Sequence, residues 1–338
     1  MANKVKLRER FRSAKQKLPS KKKEPLEYGP IEIRMLSEEE VNREEEKSDH
    51  ELIEELNGSE EEEAHKFESN KNYFTISVYA LVTIMAAAIF SMEVVSVGIM
   101  HYSALVPCVV ASLIAHGIAL ESGIAPEAFV IREIPVFHMR TAVIISVLAV
   151  FCALVSVLFC VMLRRTEQLY HKLFKNPFPR IFAGGCLVVA LTFLVGNQDY
   201  NGAGMHMVEH YFEGSVRPEA FLMKMVFTAL TIGAGFKGGE IVPSFFTGAA
   251  FGCLFGTITG FSPSLCTAIG MISVFCGVTN CPITSLLISF ELFGYDGMPY
   301  FLLSVAFSYM LSGYVGLYHS QKIMYSKYKT DYINKRTK

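Results

Sequence analysis

Two patterns of polar and apolar positions divide the chain. From Met1 to Lys71, charged residues come in blocks and no apolar periodicity is sustained. From Tyr73 onward, apolar runs dominate. Ala142 to Leu163 is 22 residues without a charge, and Ile241 to Phe290 is 50. A core helix of a soluble protein would show polar residues on its outer face. A run of about 20 apolar residues instead matches a hydrocarbon core roughly 30 Å thick. The pattern therefore predicts an all-α membrane protein. Helical segments are expected near 73–98, 102–120, 140–165, 181–196, 204–212, 218–234, 242–259, 263–277, 281–293, 298–313 and 318–330. The breaks between them fall at Gly, Pro and Asn, notably Pro107, Pro126, Gly235–Gly239, Asn280–Pro282 and Gly294–Gly297. Several segments are too short for a full crossing. Helices broken inside a charge-free stretch put backbone ends at membrane depth. Such ends are tolerated only when packed in protein or lining a polar cavity, and transporters place their ion sites there.

Charge sharpens this division. Residues 1–72 carry 34 of the 63 Lys, Arg, Asp and Glu side chains, and the remaining 266 residues carry 29. Two domains follow: a charged cytosolic region at 1–71, expected to be disordered, and a transmembrane domain at 72–338. Met1–Lys23 is basic and lacks the apolar core of a signal peptide. Basic residues also cluster at Arg164, Arg165, Lys172, Lys175 and Arg180, read as one loop, and at Lys322–Lys338. Both clusters and both termini are therefore expected on the cytoplasmic face of the cell membrane. The eight cysteines lie in apolar stretches without a C-x-x-C pair, and read as small buried hydrophobes rather than a disulfide or metal framework. His206 and His210 stand four apart with no third ligand evident. No nucleophile–base constellation suggests an enzyme, and no cofactor or nucleic-acid partner is expected.

One stretch carries distinctive chemistry. A glycine-rich turn, Gly235 to Gly239, precedes Pro243, which suits the first turn of a helix. Gly248 and Gly252 then share one helical face and allow close packing in lipid. The first N–H groups of a helix have no intrahelical partner, and the macrodipole makes that end positive. Without Cβ atoms in front, a partly dehydrated anion can reach those amides. A glycine loop that merely packs helices has the same spacing.

These residues resemble a known family. Gly238-Gly-Glu-Ile-Val-Pro-Ser-Phe-Phe-Thr-Gly-Ala-Ala-Phe-Gly252 looks like the signature of the CLC family of voltage-gated chloride channels and anion–proton antiporters. Three further stretches are similar to it: Ala86–Val95, Gly277–Phe293 and Ser312–Gln321. The resemblance covers about residues 80–325. It implies a CLC-like bundle of tilted and broken intramembrane helices, and a chloride channel or transporter that works as a homodimer in the lipid bilayer. The implied anion-binding residues are Gly238, Gly239, Glu240 and Ile241, with the amides of Glu240 and Ile241 as ligands, and Tyr318 as the pore tyrosine. Taken alone, Tyr318 would read as an interfacial aromatic.

The departures matter as much. The family's G-S-G-I-P and G-R-E-G-P motifs are not found, so the resemblance implies a bundle lacking the first several family helices. Val94 stands where the antiporters carry a second proton glutamate, which favours uncoupled transport. Glu93, one residue earlier, is the candidate gating or proton carboxylate. Glu93 and Glu291 also read as helix-end carboxylates at the water interface. Asn280 is expected to cap the helix that follows it, with pore lining as the other reading. The wording Gly235-Phe-Lys-Gly-Gly-Glu240 is closest to the fluoride-transporting branch. Fluoride selectivity, or a non-conducting membrane subunit, is the alternative function.

Overall fold

A computed structural model describes residues 82–123, 128–329 and 331–337. The charged region 1–71, and the part of the 73–98 segment before Val82, lie outside the described residues. Among the described residues, ten α-helices follow one another. They are α1 Val82–Glu93, α2 Leu105–Glu121, α3 Met139–Leu173, α4 Pro177–Val195, α5 Met205–Phe212, α6 Ala220–Gly233, α7 Ile241–Thr259, α8 Pro263–Thr279, α9 Pro282–Phe293 and α10 Met298–Leu311. Three short strands, β1 Ser96–Val97, β2 Lys322–Tyr325 and β3 Tyr332–Arg336, form a small sheet in that order. β1 pairs parallel with β2, and β2 antiparallel with β3.

Local chemistry sets most helix ends. Proline occupies the first or second position of α4, α8, α9 and α10, where its missing N–H costs nothing. Left-handed residues end three helices: Gly196 after α4, Gly260 after α7 and Asn280 after α8. Among the described residues, four elements are long and apolar enough to cross a membrane: the segment Tyr102–Glu121 and helices α3, α4 and α7. α3 has 35 residues. At about 1.5 Å per residue it is roughly 50 Å long, so it crosses and projects beyond the hydrocarbon.

α8 is the centre of the bundle. Every residue from Ser264 to Thr279 is buried, because α3, α7 and α10 all pack on it. Hydrophobicity does not drive helices together in lipid, since acyl chains are as apolar as leucine. Close approach does. Gly248 and Gly252 of α7 lie directly against the backbone of Gly270 and Cys266 of α8. By contrast, no residue of α2 is buried and only Gly184 of α4 is. Six of the eight cysteines are buried as expected, while Cys186 is exposed and Cys108 partly so.

Three expectations need correction. Segment 318–330 is not a helix. Its Lys322–Tyr325 portion pairs as β2, with Ile323 buried and its neighbour Lys322 exposed, which is a period of two. The basic cluster at 164–180 is not one loop. Arg164, Arg165 and Lys172 ride on the projecting end of α3, and Arg180 lies in α4. Pro107 does not break its segment but sits in the first turn of α2. The strand is decided by pairing with β1, far away in sequence, whereas Pro107 is a local matter, since proline is tolerated in the first turn of a helix.

Candidate functional site

Three successive helix starts are treated differently. α8 begins with Ser262, whose Oγ accepts from Leu265 N–H at 3.4 Å. α9 is capped from another helix. The Glu93 carboxylate, at the end of α1, accepts from the N–H groups of Ile283 (3.1 Å) and Thr284 (2.9 Å) and from the Thr284 hydroxyl (2.6 Å). It is 7% exposed. α7 receives no such cap. Its N-cap residue Glu240 offers no side-chain bond. Among the described residues, no acceptor reaches the N–H groups of Glu240, Ile241 and Val242. Pro243 has no N–H, and Ser244 N–H bonds back to the Glu240 carbonyl at 3.3 Å.

The turn before α7 leaves this end accessible. Gly235 adopts φ +104°, a conformation that glycine takes without strain, and its neighbour Ala234 offers its carbonyl to Arg180 Nε at 3.2 Å. Gly238 and Gly239 are exposed, with open space where a Cβ would stand. They line a cavity of about 430 Å³ together with Tyr200, Gly202, Phe227, Thr228, Val242 and Pro243. A second, small cavity of about 30 Å³ is lined by Glu240 with Arg164, Gly233, Leu317 and His319. Bare amides, positive helix end and open approach together make a place for an anion.

Tyr318 does not line the larger cavity, but its neighbours Leu317 and His319 line the smaller one with Glu240. The backbone around it is tied on both sides. Leu317 N–H donates to Val278 C=O at 2.8 Å, and Arg164 donates to Gly316 C=O at 2.6 Å. The Thr337 hydroxyl donates to the Tyr318 carbonyl at 2.7 Å.

The other singled-out residues hold structure. Asn280 closes α8 in a left-handed conformation (φ 60°) instead of opening α9, where Cys281 is the N-cap. It is 1% exposed, and its amide donates to Val315 C=O (3.0 Å) and Gln321 Oε1 (3.1 Å). Glu291 meets Thr83 and His116. The structure thus places Gly238 and Gly239 on the larger cavity and Glu240 on the smaller one, with Tyr318 lining neither, and sets Glu93 at the start of α9 and Asn280 at the end of α8.

One cation escaped the sequence reading. Lys224, in the middle of α6, is 1% exposed. Its ammonium donates to the carbonyls of Tyr200 (3.2 Å) and Gly202 (2.7 Å), two residues of the larger cavity's wall. It lies 4.7 Å from the centre of the Phe246 ring, and no carboxylate pairs with it among the described residues. The signal was available: a lone lysine in an apolar helix is costly and marks a functional position by default.

Comparison with known proteins bears on this geometry. The sequence model of the family described as voltage gated chloride channel matches residues 82–313. A chloride/fluoride channel protein of Pseudomonas syringae pv. tomato is 31% identical over 252 residues, covering 73% of this chain and 56% of that protein. An uncharacterized protein of Methanocaldococcus jannaschii is 24% identical over 217 residues, covering 63% and 54%. Among solved structures, a CLC-type fluoride/proton antiporter superposes with a TM-score of 0.68 at 27% identity, covering 71% of this chain and 61% of that one. The chain spans about half the length of the curated relatives it matches.

Proposed function

The chain belongs to the voltage-gated chloride channel family, and we propose that its membrane domain passes a halide, held by the bare N–H groups at the start of α7. The observation that carries this is the uncapped start of α7 lying behind Gly238 and Gly239, which open it onto a cavity. α4, α5, α6 and α10 also start without a side-chain cap, so it is the glycine turn and the cavity that set α7 apart. Backbone amides suit transport because they hold a halide without the grip of a full positive charge. Tyr318 is assigned as the hydroxyl ligand, supported by the family-like stretch Ser312–Gln321 and by its neighbours Leu317 and His319, which line a small cavity with Glu240. Pairing of two copies belongs to the same reading and is supported by family membership alone. The basic end of α3 and the lysine-rich tail support a cytoplasmic C-terminus.

Chloride is the first ion to test. A second reading, fluoride, is favoured by the Gly235–Glu240 wording and by similarity to a chloride/fluoride channel protein and to a fluoride/proton antiporter. The test is halide efflux from liposomes holding the purified full chain, measured with chloride- and fluoride-selective electrodes. Efflux above protein-free liposomes is expected, and the faster ion identifies the substrate. Gly239→Val is the informative variant. Gly239 is not in the left-handed region and its Cβ would enter open space, so the fold tolerates the change. The valine methyls would still screen the amides. A loss of at least about tenfold in efflux is expected, matching one or two charge-assisted hydrogen bonds. Folded protein that passes neither ion, or a Gly239→Val variant as fast as the parent, rejects this assignment.

A further inference from the structure

The tail after α10 holds a second cation without a carboxylate. Lys327 donates to the Asn280 side-chain oxygen, to Tyr309 C=O at 2.9 Å and to Ser312 Oγ at 3.1 Å. Its three hydrogens are thereby all used. The ammonium also sits 4.4 Å from the centre of the Tyr309 ring, and no acid pairs with it among the described residues. Its counter-charge is the backbone. Tyr309 is in the last turn of α10, and Asn280 ends α8. Two helix C-termini, each partly negative, therefore converge on one ammonium. Burial pushes the Lys327 pKa down to about 8.

From Asn280 the connection runs to the pore tyrosine. The Asn280 amide holds Val315, three residues before Tyr318, and Gln321, three residues after it. Gln321 in turn donates its own amide to Val94 C=O (2.9 Å) and Thr279 C=O (2.8 Å), and its N–H to the Tyr318 carbonyl (3.1 Å). The loop carrying Tyr318 has no helix of its own, so these bonds replace helical rigidity. The orientation of the Asn280 amide is what lets it hold both points. That orientation is fixed by Lys327 on the Asn280 oxygen.

We propose that Lys327 is a positioning residue for Tyr318, acting through Asn280 and Gln321 to hold the tyrosine hydroxyl at the anion. The proposal rests on the assignment of Tyr318 as an anion ligand. Without the ammonium, the Asn280 oxygen is a buried acceptor with no donor. The amide is then no longer held in place, and its bonds to Val315 and Gln321 Oε1 loosen together, leaving Gln321 only its own bonds to Val94, Thr279 and Tyr318.

The test is a double-mutant cycle on the purified full chain, read as halide affinity by isothermal titration calorimetry with sodium chloride and sodium fluoride in turn. Tyr318→Ala and Lys327→Met are each expected to weaken binding about tenfold, the scale of one hydrogen bond to a charged group. The double variant is expected to be no weaker than Tyr318→Ala alone, because both changes remove the same contact. Lys322→Met, an exposed lysine of the same tail, is the control and should change nothing. A purely architectural lysine would instead make the two losses multiply to about a hundredfold, which overturns the proposal. Lys327→Met with unchanged affinity also overturns it. Unchanged affinity in Tyr318→Ala strikes at the anion-ligand assignment instead. Should Lys327→Met not fold, Asn280→Gly completes the same cycle. Glycine keeps the left-handed helix end and removes only the link. Asn280→Gly and Tyr318→Ala must then be non-additive.

Discussion

Gly252→Leu is expected to abolish assembly of the membrane domain. A Cβ at Gly252 would strike the Cys266 carbonyl oxygen and lie 2.8 Å from its carbon and 3.1 Å from the Thr267 Cα. These are backbone atoms of α8, the fully buried central helix. A flexible side chain could swing aside, but a helix backbone can only move as a body. Gly248 and Gly270 face each other across the same seam, where each would strike the other's carbonyl, so separation at one point forfeits contacts along the whole interface. Overpacking in a soluble core costs about 1–3 kcal/mol. Here close approach is itself the source of helix association, and a loss above about 3 kcal/mol is expected for leucine. Alanine should already destabilise. The check is size-exclusion chromatography and thermal melting in detergent. Gly117→Ala on α2, with nothing within 4 Å of its Cβ, is the control. A monodisperse Gly252→Leu protein melting with the parent would show that the α7–α8 seam is looser than described.

The second large effect is at Glu93. Glu93→Ala removes an acceptor shared by two backbone N–H groups and one hydroxyl. Ile283 and Thr284 then keep unbonded donors at the start of α9, and water has poor access to a site 7% exposed. Each orphaned group costs about 1–3 kcal/mol. A loss of about 3–5 kcal/mol is expected, in the range for stripping one partner from a buried charged contact. Glu93→Gln keeps one oxygen for α9 and should lose less than half of that. Thermal melting of the three proteins gives the order. A Glu93→Ala protein as stable as the parent would mean that the cap is dispensable, and would return Glu93 to a purely gating or proton role.

That second case shows where sequence reading stops. Glu93 was singled out as a costly intramembrane carboxylate, and it does have a specific partner. That partner lies 190 residues away at Ile283. Nothing in the spacing around Glu93 points to α9. Asn280 is similar: its residue type and the following Pro282 suggested the start of a helix, but its left-handed backbone ends the helix before. Asparagine suits both positions, and only the path of the chain distinguishes them. Lys224 sits within an apolar helix, and Lys327 lies in the basic tail read as facing the cytoplasm, where a lysine is usually solvated. Each is instead surrounded by backbone carbonyls supplied by other segments.

What the sequence determined alone is what short-range physics decides. Long charge-free runs exclude water and impose helices. Proline and glycine set where most of those helices begin and end, because φ restriction and a missing N–H act within one turn. The Gly238–Gly239 turn, and with it a helix start able to face an anion, belongs to this class. What only the tertiary structure decided is which helix starts stay bare. α8 caps itself, α9 borrows a carboxylate from α1, and α7 is left open. Hydrogen-bond partners brought together from distant positions depend on how the helices pack, and packing in lipid depends on whether backbones such as those at Gly252 and Cys266 can touch.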